Sequence, residues 1–189
     1  MQENKPLIVG ITGASGAIYG IRLLMHLRKL GIKTHLVISK AAQLTIPSET
    51  EFTLAMVQKL ADEVHMVGNI GACIASGSYR ARGMIIAPCS VRSFSEIATG
   101  VTSSLLTRSA DVMLKEKRKL VLMVRETPLH AGHLENLLKL AQMGAVIAPP
   151  VPAFYQRPKS IEEMVDHSLA RVLDAFDIEH DLAKPWAGI

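Results

Sequence analysis

The sequence is poor in cysteine, in charge and in long apolar runs, and each shortage removes a class of protein. Two cysteines, Cys73 and Cys89, stand outside any C-x-x-C pair in 189 residues. Disulfide or metal staples are therefore not expected to hold the fold. No apolar run approaches the ~18 residues of a membrane span, and Met1-Gln2-Glu3-Asn4-Lys5-Pro6 lacks the apolar centre of a signal peptide. A reducing, cytoplasmic setting without a membrane span is the expectation. Charged residues make up 20% of the chain, and 21 Lys+Arg against 17 Asp+Glu leave a formal charge of +4. That excess is too small and too scattered to demand nucleic acid, and an anionic small ligand accounts for it equally well.

Apolar residues, by contrast, are plentiful. They make up 49% of the chain and the mean hydropathy is +0.25, more apolar surface than an isolated small domain readily hides. A homo-oligomer of single-domain subunits spanning residues 1–189 is expected, with a C-terminal helix and tail from about residue 160 touching neighbours. Leu7 to Ile11 is an apolar run closed by Thr12-Gly13-Ala14-Ser15-Gly16. Ile18, Ile21, Leu24, Met25 and Leu27 then recur at helical spacing up to Gly31. The same alternation continues. Strands are expected over Thr34–Ile38, Met84–Ala87 (stopped by Pro88), Leu120–Val124 and Ala145–Ala148. Helices are expected up to a Pro47-Ser48 break, around Leu54–Leu60, from Ser90, and over Leu105–Lys117, Leu134–Met143 and Ile161–Phe176. The stretch from His65 to Arg82 reads as irregular. Strands apolar on both faces and separated by helices predict an α/β doubly wound fold, a Rossmann-like or flavodoxin-like three-layer sandwich with a mostly parallel sheet.

In such sheets ligands bind beyond the carboxyl ends of the strands, where the following helices aim their N-terminal amides. Those ends carry Gly13-Ala14-Ser15-Gly16, Ser39-Lys40, Ser90-Val91-Arg92-Ser93 and Arg125-Glu126. Glycines admit a phosphate close to the backbone, hydroxyls donate without adding charge, and an arginine recognises phosphate in a bidentate way. Any one of these residues alone is more simply a helix cap or turn residue. Their coincidence at one sheet edge points to a phosphorylated ligand. Ser39-Lys40 stands where a dinucleotide site needs an acid, so a mononucleotide such as FMN fits better than NAD.

Arg108, Asp111 and Lys115 share one helix face, which by spacing alone reads as a solvated face with an i, i+3 ion pair. Glu49 and Glu126 follow sheet edges and could serve as acid or base only if buried. His130 and His133 are spaced for metal ligation, but without further ligands capping and packing are the stronger reading. No metal site is expected.

Ten segments in order carry a resemblance: Thr12-Gly13-Ala14-Ser15-Gly16-Ala17, Ser39-Lys40, Ser48-Glu49-Thr50, Ala75-Ser76-Gly77-Ser78, Pro88-Cys89-Ser90, Arg108-Ser109-Ala110-Asp111-Val112, Leu114-Lys115-Glu116, Val124-Arg125-Glu126-Thr127-Pro128, His133-Leu134-Glu135-Asn136 and Pro152-Ala153-Phe154-Tyr155. From Leu7 to Trp186 the chain resembles the UbiX type of flavin prenyltransferase, including forms described as a subunit of phenolic acid decarboxylases. The resemblance implies a homo-oligomer, typically a dodecamer, that joins a dimethylallyl group from dimethylallyl phosphate to N5 and C6 of reduced FMN without a metal. A UbiD-type decarboxylase then uses the prenylated FMN, in settings such as ubiquinone biosynthesis or aromatic acid decarboxylation. It implies a flavin site at Gly13, Ala14, Ser15, Ser39, Ser90, Val91, Arg92, Ser93 and Arg125. It assigns donor binding and catalysis to Ser15, Glu49, Arg108, Lys115, Glu126, Tyr155 and Arg171, some of them completing a neighbour's site, and it sets Trp186 near the same site.

Arg108, Lys115 and Arg171 would then stabilise the leaving phosphate, Tyr155 would add a hydrogen bond, Glu49 would move protons and Glu126 would orient the cations. Val91-Arg92-Ser93-Phe94 departs from the family's usual segment, and Phe94 is expected to alter packing beneath the ring. Cys89 reads as a small buried residue rather than a nucleophile. The alternatives are an FMN-binding aromatic acid decarboxylase subunit, a cysteine decarboxylase, whose motif is missing here, and a non-catalytic flavin carrier.

Overall fold

The computed structural model describes residues 5–183. Strands β1 (Leu7–Ile11), β2 (Thr34–Ile38) and β4 (Gly83–Cys89) are buried at every residue. A strand apolar on both faces needs a helix on each side, and the helical crossovers that supply them leave consecutive strands parallel. With β3 (Glu63–His65), β5 (Lys119–Val124) and β6 (Val146–Ile147) they form one parallel sheet in the order β3-β2-β1-β4-β5-β6. Of the two doubly wound forms expected, this is the Rossmann order, which reverses direction between β1 and β4. The crevice at that reversal opens above the loops that follow those two strands.

Helix α1 (Ala17–Lys29) turns Ala17, Gly20, Ile21, Leu23, Leu24 and Leu27 inward. Met25, expected on that face, is 40% exposed on its outer shoulder. The short α2 (Ala42–Glu49) and α3 (Leu54–Gln58) follow β2. Helices α4 (Val91–Thr99) and α5 (Leu105–Lys115) link β4 to β5, and α6 (Ala131–Gln142) links β5 to β6. Ser90 caps α4, and a reciprocal Ser104–Thr107 capping box starts α5. Gly144, at φ 99°, follows the end of α6 as expected.

Three local expectations are corrected. Helix α2 does not stop at Ile46 but runs through Pro47 to Glu49. Proline forfeits one bond there, and the Thr50 amide (3.1 Å) and hydroxyl (2.7 Å) close the last turn on the Ile46 carbonyl. Strand β4 does not stop at Pro88. A register shift between Ile86 and Cys89 absorbs the missing N–H, and Cys89 pairs with Val124. The segment expected to be irregular holds His65 in the edge strand β3, paired with Val37, and a single 3-10 turn at Cys73–Ala75. Three residues of mixed polarity give too little periodicity to mark a strand; pairing with β2 makes one.

The chain falls into two compact units, Met1–Pro149 and Pro150–Ile189. In the second, α7 (Ile161–Asp174) is capped by Ser160 and buries Val165, Leu169, Val172 and Leu173. No helix among the described residues is long and apolar enough to cross a membrane.

Candidate active site

The loop between β1 and α1 is built around two glycines. A Cβ on Gly13 would lie 2.3 Å from Ala41 Cβ, so only glycine lets this loop rest on the start of α2. Gly16, the N-cap of α1, sits at φ 99° and ψ 34° and offers no side-chain cap. The carboxylate of Glu49 fills that role. Its Oε2 accepts from the amides of Gly16 (2.8 Å) and Ala17 (3.1 Å). A negative group there is favoured by two orphan donors and by the positive end of the helix dipole. Glu49 is thereby carried from the end of α2 to the rim of the β1 loop, beside Ser15.

Thr12 joins this loop to the one after β4. Its hydroxyl donates to the Pro88 carbonyl (2.7 Å) and accepts from the Ser90 amide (2.8 Å). It is 1% exposed, and its sequence context assigned it no part in the site. A buried threonine just beyond a strand end was the only available signal. The Ser39 hydroxyl accepts from the Ala42 amide at the start of α2 (3.1 Å), and Ser90 and Ser93 share a hydroxyl contact of 3.1 Å.

Gly13, Ser39, Ser90, Arg92 and Ser93 line one cleft of about 520 Å³ at the carboxyl edge of the sheet, a volume suited to a mononucleotide. Lys40, named beside Ser39 at the end of β2, also lines it, as do Val67, Gly68, Glu96, Ser103 and Thr107, which were missed. Glu96 is the informative one. Burial pushes its carboxyl up, but the Ser103 hydroxyl (2.6 Å) and the Arg92 guanidinium (2.8 Å) donating to it outweigh this and hold it below the usual carboxylate range. Its signal was the Arg92-to-Glu96 spacing of four on a helix that starts at the cleft.

Arg125, just past β5, donates from Nε to the Ser15 carbonyl (3.1 Å), and its own amide donates to the Cys89 carbonyl (3.1 Å). The structure thus brings Arg125 against the backbone of Ser15. Ala14 is buried and Val91 half-buried beside these loops. Among the described residues, Glu126 accepts from the next amide alone, that of Thr127 (2.9 Å). Phe94 is fully buried in the core with Ile97, Leu105 and Leu106, its ring edge-on to His133 at 5.9 Å. It therefore packs beneath the loop rather than lining the cleft. Cys89 is fully buried and its thiol is pushed far above the ordinary range by desolvation. His130 caps α6 and stacks on His133 at 3.6 Å, which is the capping-and-packing role.

The cleft's own cations are Lys40 and Arg92; Arg108 and Lys115 do not line it. Helix α5 starts beside it, at Ser104, and runs back toward the amino ends of the strands. Arg108 sits one turn in, bonded to Asp111 (2.8 Å) and to the Ala75 carbonyl (3.2 Å). Lys115 lies ~10 Å farther along the axis and donates to Glu116, whose carboxyl that bond holds below the usual range. Lys115 lines a separate cavity of about 470 Å³ with Asp111, Lys139 and Met143. In the second unit, Tyr155 and Arg171 line a common cleft, Tyr155 bonded to His167 (2.9 Å) and Arg171 to Asp174 (2.6 Å). Trp186 lies outside the described residues.

The family model "Flavoprotein" matches residues 1–178. The chain is 54% identical over 187 residues to the flavin prenyltransferase UbiX of Escherichia coli strain K12, covering 97% of this chain and 99% of that one. The crystal structure of AnUbiX (PadA1) in complex with FMN and dimethylallyl pyrophosphate superposes with a TM-score of 0.97 at 47% identity, covering 98% of this chain and 99% of that one. A dodecameric FMN-dependent UbiX-like decarboxylase from Escherichia coli O157:H7 superposes at 0.95 with 48% identity, covering 97% and 100%.

Proposed function

The chain belongs to the UbiX flavin prenyltransferases of the flavoprotein family, and from that premise we propose how its residues divide the reaction. The enzyme makes prenylated FMN. Reduced FMN is the substrate, its phosphate bound among Gly13, Ser39 and the loops after β4 and β5, with Arg125 supplying a charge-assisted bond. The observation that carries this is the cleft at the strand reversal where Gly13, the hydroxyls of Ser39, Ser90 and Ser93, and Arg92 meet. When bound, the reduced flavin supplies the nucleophilic N5 and C6.

The donor is dimethylallyl phosphate. Its allylic C–O bond breaks with the electron pair leaving on phosphate, so catalysis requires charge stabilisation at that phosphate without a metal. Arg108, Lys115 and Arg171 supply it, with Tyr155 donating a neutral hydrogen bond. Arg108 and Lys115 diverge from their own chain's cleft, so they serve a site completed by another subunit. A dodecamer like the homologous one would provide it, and the exposed apolar Leu134 (53%) and Leu138 (60%), one turn apart on α6, supply surface for such contacts. Protonation of the prenyl double bond, assisted by the departed phosphate, makes the tertiary carbon electrophilic for C6. Glu49 takes the proton that C6 releases as this second bond closes the ring, so the closure is proton-neutral overall; Ser15 positions the donor beside it, and Glu126 orients the cations. The product passes to a UbiD-type decarboxylase. Anaerobic incubation of the purified protein with FMNH₂ and dimethylallyl phosphate should yield a flavin heavier by C₅H₈. Flavin recovered unchanged would leave only a carrier role.

A further inference from the structure

On the edge of the sheet formed by β2 and β3, four side chains of metal-ligating type meet that the prenyl-transfer reaction does not use. His35 is in register with Glu63, and His65 lies two residues beyond on β3, so all three project from one face of the β2–β3 edge. Cys73, at the start of the 3-10 turn, covers that face. The ligand atoms of the four residues all lie within 4.8 Å of one another. His35 Nδ1 is 2.8 Å from His65 Nε2, Glu63 Oε2 is 3.6 Å from His35 Nδ1, and Glu63 Oε1 is 3.4 Å from His65 Nε2.

We propose that His35, Glu63, His65 and Cys73 form a structural site for a tetrahedral divalent transition metal, Zn²⁺ by its ligand set. With bonds of roughly 2.0–2.3 Å, tetrahedral ligand atoms stand about 3.3–3.7 Å apart. The Glu63 carboxylate stands at that spacing from each imidazole, through Oε2 to His35 and Oε1 to His65, so a small rotation presents one oxygen to the metal, and the imidazole nitrogens must part by only about 0.5 Å to meet that geometry. Two imidazoles, a carboxylate and a thiolate suit zinc and exclude the oxygen-seeking Mg²⁺ and Ca²⁺.

A group that would orient one ligand is in place as well. The Tyr79 hydroxyl lies 2.8 Å from His35 Nε2 and can accept its N–H, which leaves Nδ1 free to ligate. The proton now shared between the two rings relocates to His35 Nε2 or His65 Nδ1, so each imidazole stays neutral. Only the Cys73 thiol loses a proton to solvent, and Zn²⁺ with one carboxylate and one thiolate is electrically neutral. The imidazoles are 7–8% exposed while Glu63 is 55% exposed, so the metal has an entry path on the glutamate side. Bound metal would clip the His65–Cys73 loop, whose Val67 and Gly68 line the flavin cleft.

The test uses the full-length oligomer, reduced and stripped with chelator, titrated with ZnCl₂ alone and with CoCl₂ as a spectroscopic stand-in. One Zn²⁺ per chain, a rise in melting temperature, about one proton released per metal, and a tetrahedral Co²⁺ spectrum with a thiolate charge-transfer band are expected. Cys73→Ala should abolish that band, and it and Glu63→Gln, both at exposed positions, should each weaken Zn²⁺ by more than the ~10–100-fold typical of changes behind the ligands. Absence of stoichiometric binding, or wild-type affinity in both variants, overturns the site. None of these readouts depends on prenyl transfer.

Discussion

Glu49 carries two roles that one pair of substitutions can separate. Its Oε2 holds the amides of Gly16 and Ala17 at 2.8 and 3.1 Å, capping a 13-residue helix that has no side-chain cap of its own. Glu49→Ala removes that acceptor. Loss of an N-cap costs about 1 kcal/mol, and the carboxylate's attraction to the helix dipole adds ~0.3–1 kcal/mol. A total of about 1–2 kcal/mol corresponds to a melting temperature lower by about 2–8 °C in a chain of this size. Glu49→Gln keeps a carbonyl oxygen facing the same amides and loses only the charge, so its melting temperature should stay within about 4 °C of wild type.

Chemistry should rank the variants differently. Glutamine cannot accept the proton, and loss of a general base typically slows a step by roughly 10²–10⁴. Glu49→Gln should therefore bind FMN normally and form the first carbon–nitrogen bond, then stall before ring closure. The open and closed products are isomers of equal mass, so anaerobic single-turnover spectra must be paired with chromatographic separation. A glutamine variant that melts as low as the alanine one, or that closes the ring at the wild-type rate, refutes this division of roles.

Arg125→Ala removes the guanidinium that spans to the Ser15 carbonyl and should weaken FMN binding by at least ~1.5 kcal/mol; an unchanged dissociation constant by calorimetry counts against the phosphate placement. Gly13→Ala would drive a Cβ to 2.3 Å from Ala41, and the forced shift should cost roughly 1–3 kcal/mol in denaturant unfolding and impair flavin binding. Stability like wild type would show that α2 yields freely. Glu96 is held low by Ser103 and Arg92 despite its burial. Its stabilising contribution is therefore complete above the unfolded carboxylate value of about 4.3 and fades as pH falls through the lower folded one. Ser103→Ala should move the acid limb of the unfolding curve to higher pH, whereas an unmoved limb would place the hydrogen bond outside the linkage.

The alternation of buried strands and amphipathic helices is written locally, since periods of two and 3.6 and the glycines after helices depend on neighbours along the chain. Hence β1, β2, β5 and most helices, the parallel α/β class, and the polar loops at one sheet edge are legible in the residues alone. What lay beyond reach are relations between segments far apart in sequence. Glu49 reads as an isolated loop acid until it lands on the α1 amides 33 residues away. Thr12 reads as part of a turn until it bridges to Ser90, 78 residues on. Strand β3 exists because β2 offers it an edge, and β4 passes Pro88 because β5 tolerates the shifted register. Arg108 and Lys115 share a helix face by arithmetic, but only the direction of α5 through the layers shows that the second is carried away from its own cleft. His35, Glu63, His65 and Cys73 have no recognisable ligand spacing; the pairing of two strands sets them within 4.8 Å of one another. Periodicity encodes which side of an element faces inward, whereas the meeting of particular side chains depends on how whole elements pack, and that is decided by the burial of the sheet as a unit.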